Sequence, residues 1–265
     1  MAAGPTTSPD QGKAAASSSA PRRGDLTARP PINPSKVRLR KFSTTQIWTH
    51  WLVAGSWLVL AITGAIFLWR PDPWQGAAVL LGPWLQGDTG HLMREIHHIA
   101  GVVLALSPIM FLVLDRKHLF GDLKEITHIT RDDLAFFPVA PRYYSVGRPA
   151  MPPQGRFNGG HKLNYWVVLL SCTTLVISGF VMWLGRGTIS AAAYANWLLV
   201  HQIAFWIAIG MGMLHMYLSL LHPFTRKSLA GMTTGWVPLE YAEEEHKAWA
   251  EEMLASNDPE LVAYD

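Results

Sequence analysis

Histidine is the residue type in this chain whose spacing can do chemistry. The stretch LLVHQIAFWIAIGMGMLHMY, residues 198–217, is apolar enough for a bilayer, yet it carries His201 and His215. Ionisable side chains at membrane depth are costly and mark functional sites by default. Fourteen positions at about 100° each return the two histidines to one helix face, separated by about 21 Å along the axis. Each has a candidate partner at matching depth on another apolar stretch. His97, in REIHHIAG, matches His201; His50, in TQIWTHWLVAG, matches His215. Two neutral imidazoles facing each other across a bundle can hold a flat iron macrocycle from both faces, because haem iron accepts axial histidine and bundles build cofactor sites from facing helices. The two pairs therefore predict two haems stacked across the membrane. One membrane histidine could simply bond a neighbouring hydroxyl or carbonyl, but that reading leaves two depth-matched pairs to coincidence. Zinc would gather three or four ligands at one point, whereas these histidines are split between two depths.

The elements that must position them are membrane helices. The 265 residues are 49% apolar and only 15% charged, with 12 tryptophans and a mean hydropathy of +0.14. Such a balance belongs to a membrane protein, and a net charge of only +3 suggests no nucleic-acid partner. The lone cysteine, Cys172, can form no internal disulfide and cannot hold an iron–sulfur cluster, which needs about four thiolates. Four apolar stretches, Ile47 to Trp69, Leu92 to Leu114, Leu163 to Leu184 and Ala195 to Leu221, each reach the roughly 20 residues that span a hydrocarbon core. Trp48, Trp51, Trp69, Trp166, Trp183 and Trp197 gather near their ends, as in an interfacial aromatic belt. The shorter WQGAAVLLGPWL, 74–85, is broken by Gly82-Pro83 and is expected to lie on the membrane surface. Eight lysines and arginines precede the first span and eight more lie between Asp115 and Lys162, against Arg70, Arg94 and Arg186 in the other loops. The positive-inside rule then places both termini and the middle connection in the cytoplasm. The expected fold class is all-α, a transmembrane four-helix bundle with cytoplasmic tails. Residues 1–45 form a flexible arm, 46–222 the di-haem domain and 223–265 a tail with one short helix.

Several smaller features bear on the bundle. Gly64, Gly101, Gly179, Gly210 and Gly212 leave room for a porphyrin, although small residues also serve ordinary membrane helix packing. LAITGAIFLW (60–69) and LVISGFVMWL (175–184) share a small hydroxyl residue followed by glycine and, later, tryptophan. This echo is expected to reflect similar packing demands. His98 is the competing ligand beside His97, and His91 is expected at the outer boundary. His118, His128 and His246 are expected in solvated segments, as is the acidic run EYAEEEHKAWAEE. No pterin, flavin or nucleotide motif appears, so the chain needs an electron donor on one side and an acceptor on the other. The lipid-phase acceptor of matching chemistry is a quinone. GRFNGGHKLNYW (155–166) offers two readings. Asn158, the Gly159-Gly160 pair and His161 could bind a quinone carbonyl and relay protons, or Asn158 could cap a glycine-rich helix start.

The chain resembles the cytochrome b (gamma) subunits of membrane-bound respiratory formate dehydrogenases, within the bacterial cytochrome b561-like group. The likeness runs from about Arg40 to Glu252. It is carried by His50-Trp51, the R-x-x-H-x-x-x-G pattern at 94–101 and N-x-G-x-K at 158–162. It continues through H-x13-H-M-Y at 201–217 and the closing GMTTGWVPLEYAEEEHKAWAEEM. This resemblance implies two b-type haems, an outer one on His97 and His201 and an inner one on His50 and His215. It implies a quinone, ubiquinone or menaquinone, bound near Asn158, Gly160 and His215. It also implies an iron–sulfur (beta) partner, a molybdenum- or tungsten-pterin catalytic (alpha) partner and a bacterial inner membrane. Position 161 departs from the family pattern, being histidine where glutamine is expected. A hydrogenase or another quinone-linked oxidoreductase is the alternative partner, and a haem-free anchor or small transporter is the reading from a different class.

Overall fold

In this chain the long helices turn the usual burial pattern inside out. In a computed structural model, four helices are long and apolar enough to cross a membrane: Thr44–Leu68, Gly90–Leu114, Gly159–Leu184 and Ala191–Leu221. Only 11–17% of each span is buried within the chain. Leu58, Ile62, Ile109, Leu170, Ile203 and Trp206 point outward, which is stable only where lipid surrounds them. Many of the buried positions are small or hydroxylic instead: Ser56, Thr63, Ser107, Ser171, Ser178, Ala204 and Ala208. Close approach of small residues is how membrane helices pack without a hydrophobic drive between them. The hydroxyls of Ser56, Thr63, Ser107, Ser171 and Ser178 each reach a carbonyl one turn back, as Ser107 does that of Val103 at 2.7 Å, whereas the buried Thr49 Oγ1 has no such partner.

The structure describes Met1, Gly4, residues 36–68, 87–146 and 149–256, Asp258 and residues 260–264. Contacts divide the chain into Met1–Ile32 and Asn33–Asp265, and every element here belongs to the second unit. The expected surface piece at 74–85 lies outside the described residues. In chain order the elements are β1 (Val37–Arg40), α1 (Thr44–Leu68), α2 (Gly87–Leu114), α3 (Arg116–Thr127), α4 (Arg131–Ser145), α5 (Gly159–Leu184) and α6 (Ala191–Met216). A π-helical turn at Tyr217–Leu221 and a 3-10 turn at Thr225–Ser228 follow, then α7 (Leu229–Thr234), β2 (Trp236–Pro238), α8 (Leu239–Glu245), α9 (Lys247–Ser256) and β3 (Val262–Tyr264). The bundle is two helical hairpins, α1 against α2 and α5 against α6. Ser190 caps α6 through Ala193 N–H at 3.2 Å, and Thr130 with Asp133 forms a capping box on α4.

The described end of the expected flexible arm and the expected tail with one short helix are built together. Val37–Arg40 is the middle strand of an antiparallel sheet ordered β2-β1-β3, with Leu39 opposite both Val237 and Val262. Its alternation VRLR buries Val37 and Leu39, the period-2 pattern of a strand with one covered face. Regular structure among the described residues thus begins ahead of residue 45. Among its described residues, the 223–265 segment holds the 3-10 turn, three short α-helices and two strands rather than one helix. Gly235 makes the joint. Its φ of +85° is costly for other residues, a side chain there would sit 2.7 Å from the Phe42 carbonyl, and its own carbonyl accepts from Lys41 N–H at 2.8 Å. The result is a polypeptide cap over the end of the bundle where α1 and α5 begin. The acidic run is solvated on one face, with Glu240, Glu243, Glu244, Glu251 and Glu252 exposed, but its other face is covered: Glu245 and His246 are 2% and 0% exposed, with Tyr241 and Trp249 buried beside them.

Candidate functional site

The four histidines meet in the predicted pairs. His97 of α2 and His201 of α6 have ring centres 6.4 Å apart, and His50 of α1 and His215 of α6 have theirs 6.2 Å apart. The α6 helix supplies one member of each pair, as the shared face of positions 201 and 215 requires. A metal held by two ring nitrogens at about 2 Å each sets the two ring centres about 6 Å apart, so both pairs have the span of a bis-imidazole site. Among the described residues no third His, Cys, Asp or Glu joins either pair to make a metal cluster.

The His97–His201 pair opens into a cavity of about 800 Å³ between the two hairpins. Its walls are apolar and aromatic, with Leu104, Phe205, Trp57 and Ala208, and three of its wall positions are Gly64, Gly101 and Gly179. The size and lining are those of a pocket for a large planar ligand. Gly64 lies against His97, where an added Cβ would stand 3.7 Å from the ring, and Gly179 lies against His201 at 3.5 Å. Gly210 has nothing within 4 Å of an added Cβ, while Gly212 seats the Trp57 ring. Arg94 and Arg186 also line the cavity. The donor set, the ring spacing and the cavity fit a b-type haem held by His97 and His201. The His50–His215 pair shares the donor set and spacing.

The neighbouring histidine is turned elsewhere. His98 stacks on Trp183 at 4.3 Å and 15°, because consecutive helix positions point about 100° apart. His222, beyond the spans, is buried, with its ring nitrogens bonded to Thr225 and the Tyr144 carbonyl. It ties α4 to the foot of α6.

At the capped end, Asn158 and His161 form a capping box. The Asn158 Oδ1 accepts from His161 N–H at 2.8 Å and Asn158 N–H donates to His161 Nδ1 at 3.4 Å. The space that Gly159 and Gly160 free is taken by α4: a Cβ at 159 would strike the Asp133 carbonyl at 2.5 Å, and one at 160 the Phe136 ring at 3.0 Å. Lys162, the last residue of N-x-G-x-K, binds Asp133 at 2.6 Å and the His128 carbonyl at 2.7 Å. Burial would raise the Asp133 pKa, but the Lys162 ammonium and the Thr130 bonds outweigh it and hold the carboxyl below its ordinary value. The pattern therefore docks α5 on α4 by glycine contact and a buried ion pair.

His161 also stacks on His246 at 5.4 Å and 22°. His246 donates Nδ1–H to the Gly155 carbonyl at 2.8 Å and accepts from Lys41 Nζ at 2.7 Å. Burial first, then the Arg156 guanidinium, lowers Lys41 from 10.5 to about 7 against the opposing pull of Glu245 and Glu125. Burial, with Lys41 beside it, pushes His246 well below 6.5. Sequence reading missed this cluster because its members are 205 positions apart. The only local signal was the apolar spacing of Tyr241 and Trp249 within the acidic run.

Comparison with known proteins agrees with this architecture. Residues 41–235 match the family model described as prokaryotic cytochrome b561. The formate dehydrogenase cytochrome b556 subunit of Haemophilus influenzae is 22% identical over 230 residues, covering 85% of this chain and 88% of that protein. The formate dehydrogenase cytochrome b556(fdo) subunit of Escherichia coli K12 is 25% identical over 217 residues, covering 80% and 92%. With four membrane-length helices and a matched segment reaching across the whole bundle, this multi-pass membrane chain belongs to the prokaryotic cytochrome b561 family.

Proposed function

We propose that this chain is the membrane cytochrome b subunit of a formate dehydrogenase in the bacterial inner membrane, carrying electrons from an iron–sulfur partner to quinone. The observation that carries the reading is the pair of bis-histidine spacings, 6.4 and 6.2 Å, at two levels of one bundle. His97 and His201 would hold an outer b haem, and His50 and His215 an inner one. A bound b haem supplies a one-electron iron couple. The chain's own residues hold the ligand rings, exclude water with apolar walls, and keep the two sites in register along α6. The formate dehydrogenase assignment is supported by the names of the two relatives, matched over 80% or more of this chain. It brings the iron–sulfur subunit and the molybdenum- or tungsten-pterin catalytic subunit as partners. Quinone, ubiquinone or menaquinone, would be reduced at the inner level beside His215, with Asn158, Gly160 and His161 at the start of α5. The 46–222 segment is the electron-carrying domain, and the cap over its inner end faces the cytoplasm.

The test is haem quantification on the purified complex. Two b haems per chain, both reduced on adding formate, are expected. His201→Ala should remove the outer haem alone and His215→Ala the inner haem alone. Retention of both haems in both variants would overturn the ligand assignment. Haems reduced by dithionite but never by formate would move the chain to a different donor complex.

A further inference from the structure

The repeated hydroxyl–glycine pair on the first and third spans does more than pack helices. Thr63-Gly64 on α1 meets His97 of α2, and Ser178-Gly179 on α5 meets His201 of α6. Each hairpin thus presents its own histidine through the same two-residue device. Thr63 Oγ1 lies 2.6 Å from His97 Nδ1, and Ser178 Oγ lies 2.8 Å from His201 Nδ1. Both hydroxyls are buried, at 4% and 0% exposure.

A hydroxyl has one hydrogen and two lone pairs. Each hydroxyl also reaches a carbonyl one turn back, Thr63 that of Val59 at 2.8 Å and Ser178 that of Thr174 at 2.6 Å. A hydroxyl that gives its hydrogen to that carbonyl faces the ring as an acceptor. Each ring must then donate Nδ1–H, and a neutral imidazole has only one N–H. The lone pair is therefore on Nε2. The glycine after each hydroxyl seats the ring against the helix backbone. Alanine would still fit at 3.7 and 3.5 Å, but a longer side chain would displace the ring.

We propose that Thr63 and Ser178 are positioning residues that set His97 and His201 in the Nδ1–H form, with Nε2 free as the ligand atom towards the shared cavity. This rests on the reading of those histidines as haem ligands. The device is specific to one level: among the described residues, neither His50 nor His215 has a hydroxyl at hydrogen-bond distance. The two haems then differ in ligand basicity, since an imidazole that donates its second N–H is the more electron-rich ligand. The iron(III) state is favoured at the outer level, and losing the bond should raise that haem's potential.

The experiment uses the intact complex with Thr63→Val, Thr63→Ser and Ser178→Ala. The readouts are haem content, the low-spin electron paramagnetic resonance spectrum and a redox titration of each haem. Thr63→Val should weaken outer haem retention by about 10- to 100-fold or, where haem stays, shift its spectrum and raise its potential. The inner haem should be unchanged, Thr63→Ser should behave as the parent, and Ser178→Ala should show a change of the same kind. Unchanged outer haem signals in Thr63→Val and Ser178→Ala would overturn the proposal. If Thr63→Val does not assemble, unchanged signals in Ser178→Ala alone overturn it. An outer haem that survives His201→Ala in full would instead overturn the ligand reading, whatever Thr63 does.

Discussion

Asn158 has two candidate duties, and one pair of variants separates them. Its Oδ1 already caps α5 through His161 N–H, a contact worth about 1 kcal/mol. Serine caps as well as asparagine but has no amide to offer a quinone carbonyl. Under the proposed quinone role, Asn158→Ser should keep the fold and both haems reducible by formate, while reoxidation of the inner haem by quinone slows about 10-fold or more, a loss of roughly 1.4 kcal/mol. Stopped-flow absorbance reads both steps in one trace. A quinone rate equal to the parent would leave Asn158 with the cap alone. The histidine pairs were legible at this scale because residue type, 3.6-residue periodicity and depth in the span are enough to bring them together. His98 was set aside only by rotation, since one position moves a side chain by about 100° and brings it onto Trp183.

Among the elements, the cap was the least legible, and its pH behaviour follows from what it buries. Lys41 titrates near 7 in the folded chain and at 10.5 when exposed. Between those values the opened chain binds the extra proton, so stability must rise with pH from about 7 to 10.5. The gap is worth on the order of 5 kcal/mol across that window. His246, lowered well below 6.5, acts in the same direction at acid pH: it stays neutral when folded and charges when released, so the cap loosens as pH falls through 6.5. Hydrogen exchange of residues 236–250, corrected for intrinsic rates, should slow at least ~10-fold between pH 7 and 9. Lys41→Met should flatten that rise. An equally steep rise in Lys41→Met would place the titrating group elsewhere. The amphipathic strand VRLR was short enough to be lost in the basic arm, and β-pairing with residues some 200 positions away carries no local signature.

The whole molecule joins a lipid-facing bundle to a polar cap. The strands at 37–40 and 262–264 pair with each other, so the described segments on either side of the bundle end at the same level. Combined with the lysine and arginine asymmetry, the proposal puts that level in the cytoplasm. A reporter that is active only outside the cytoplasm should be silent when fused after Asp265 and active when inserted after Arg186. The reverse pattern would invert the electron path. The sequence by itself determined the spans, the depth of each histidine and the two pairs, because helix length, hydropathy and the rise per residue are local quantities. Only the tertiary structure decided that Thr63 and Ser178 grip the rings, that Gly159 and Gly160 seat α4 rather than leave space open, and that Lys41 and His246 are buried together. Those facts depend on which side chains meet across helices and strands far apart in the chain, and neither composition nor periodicity encodes that meeting.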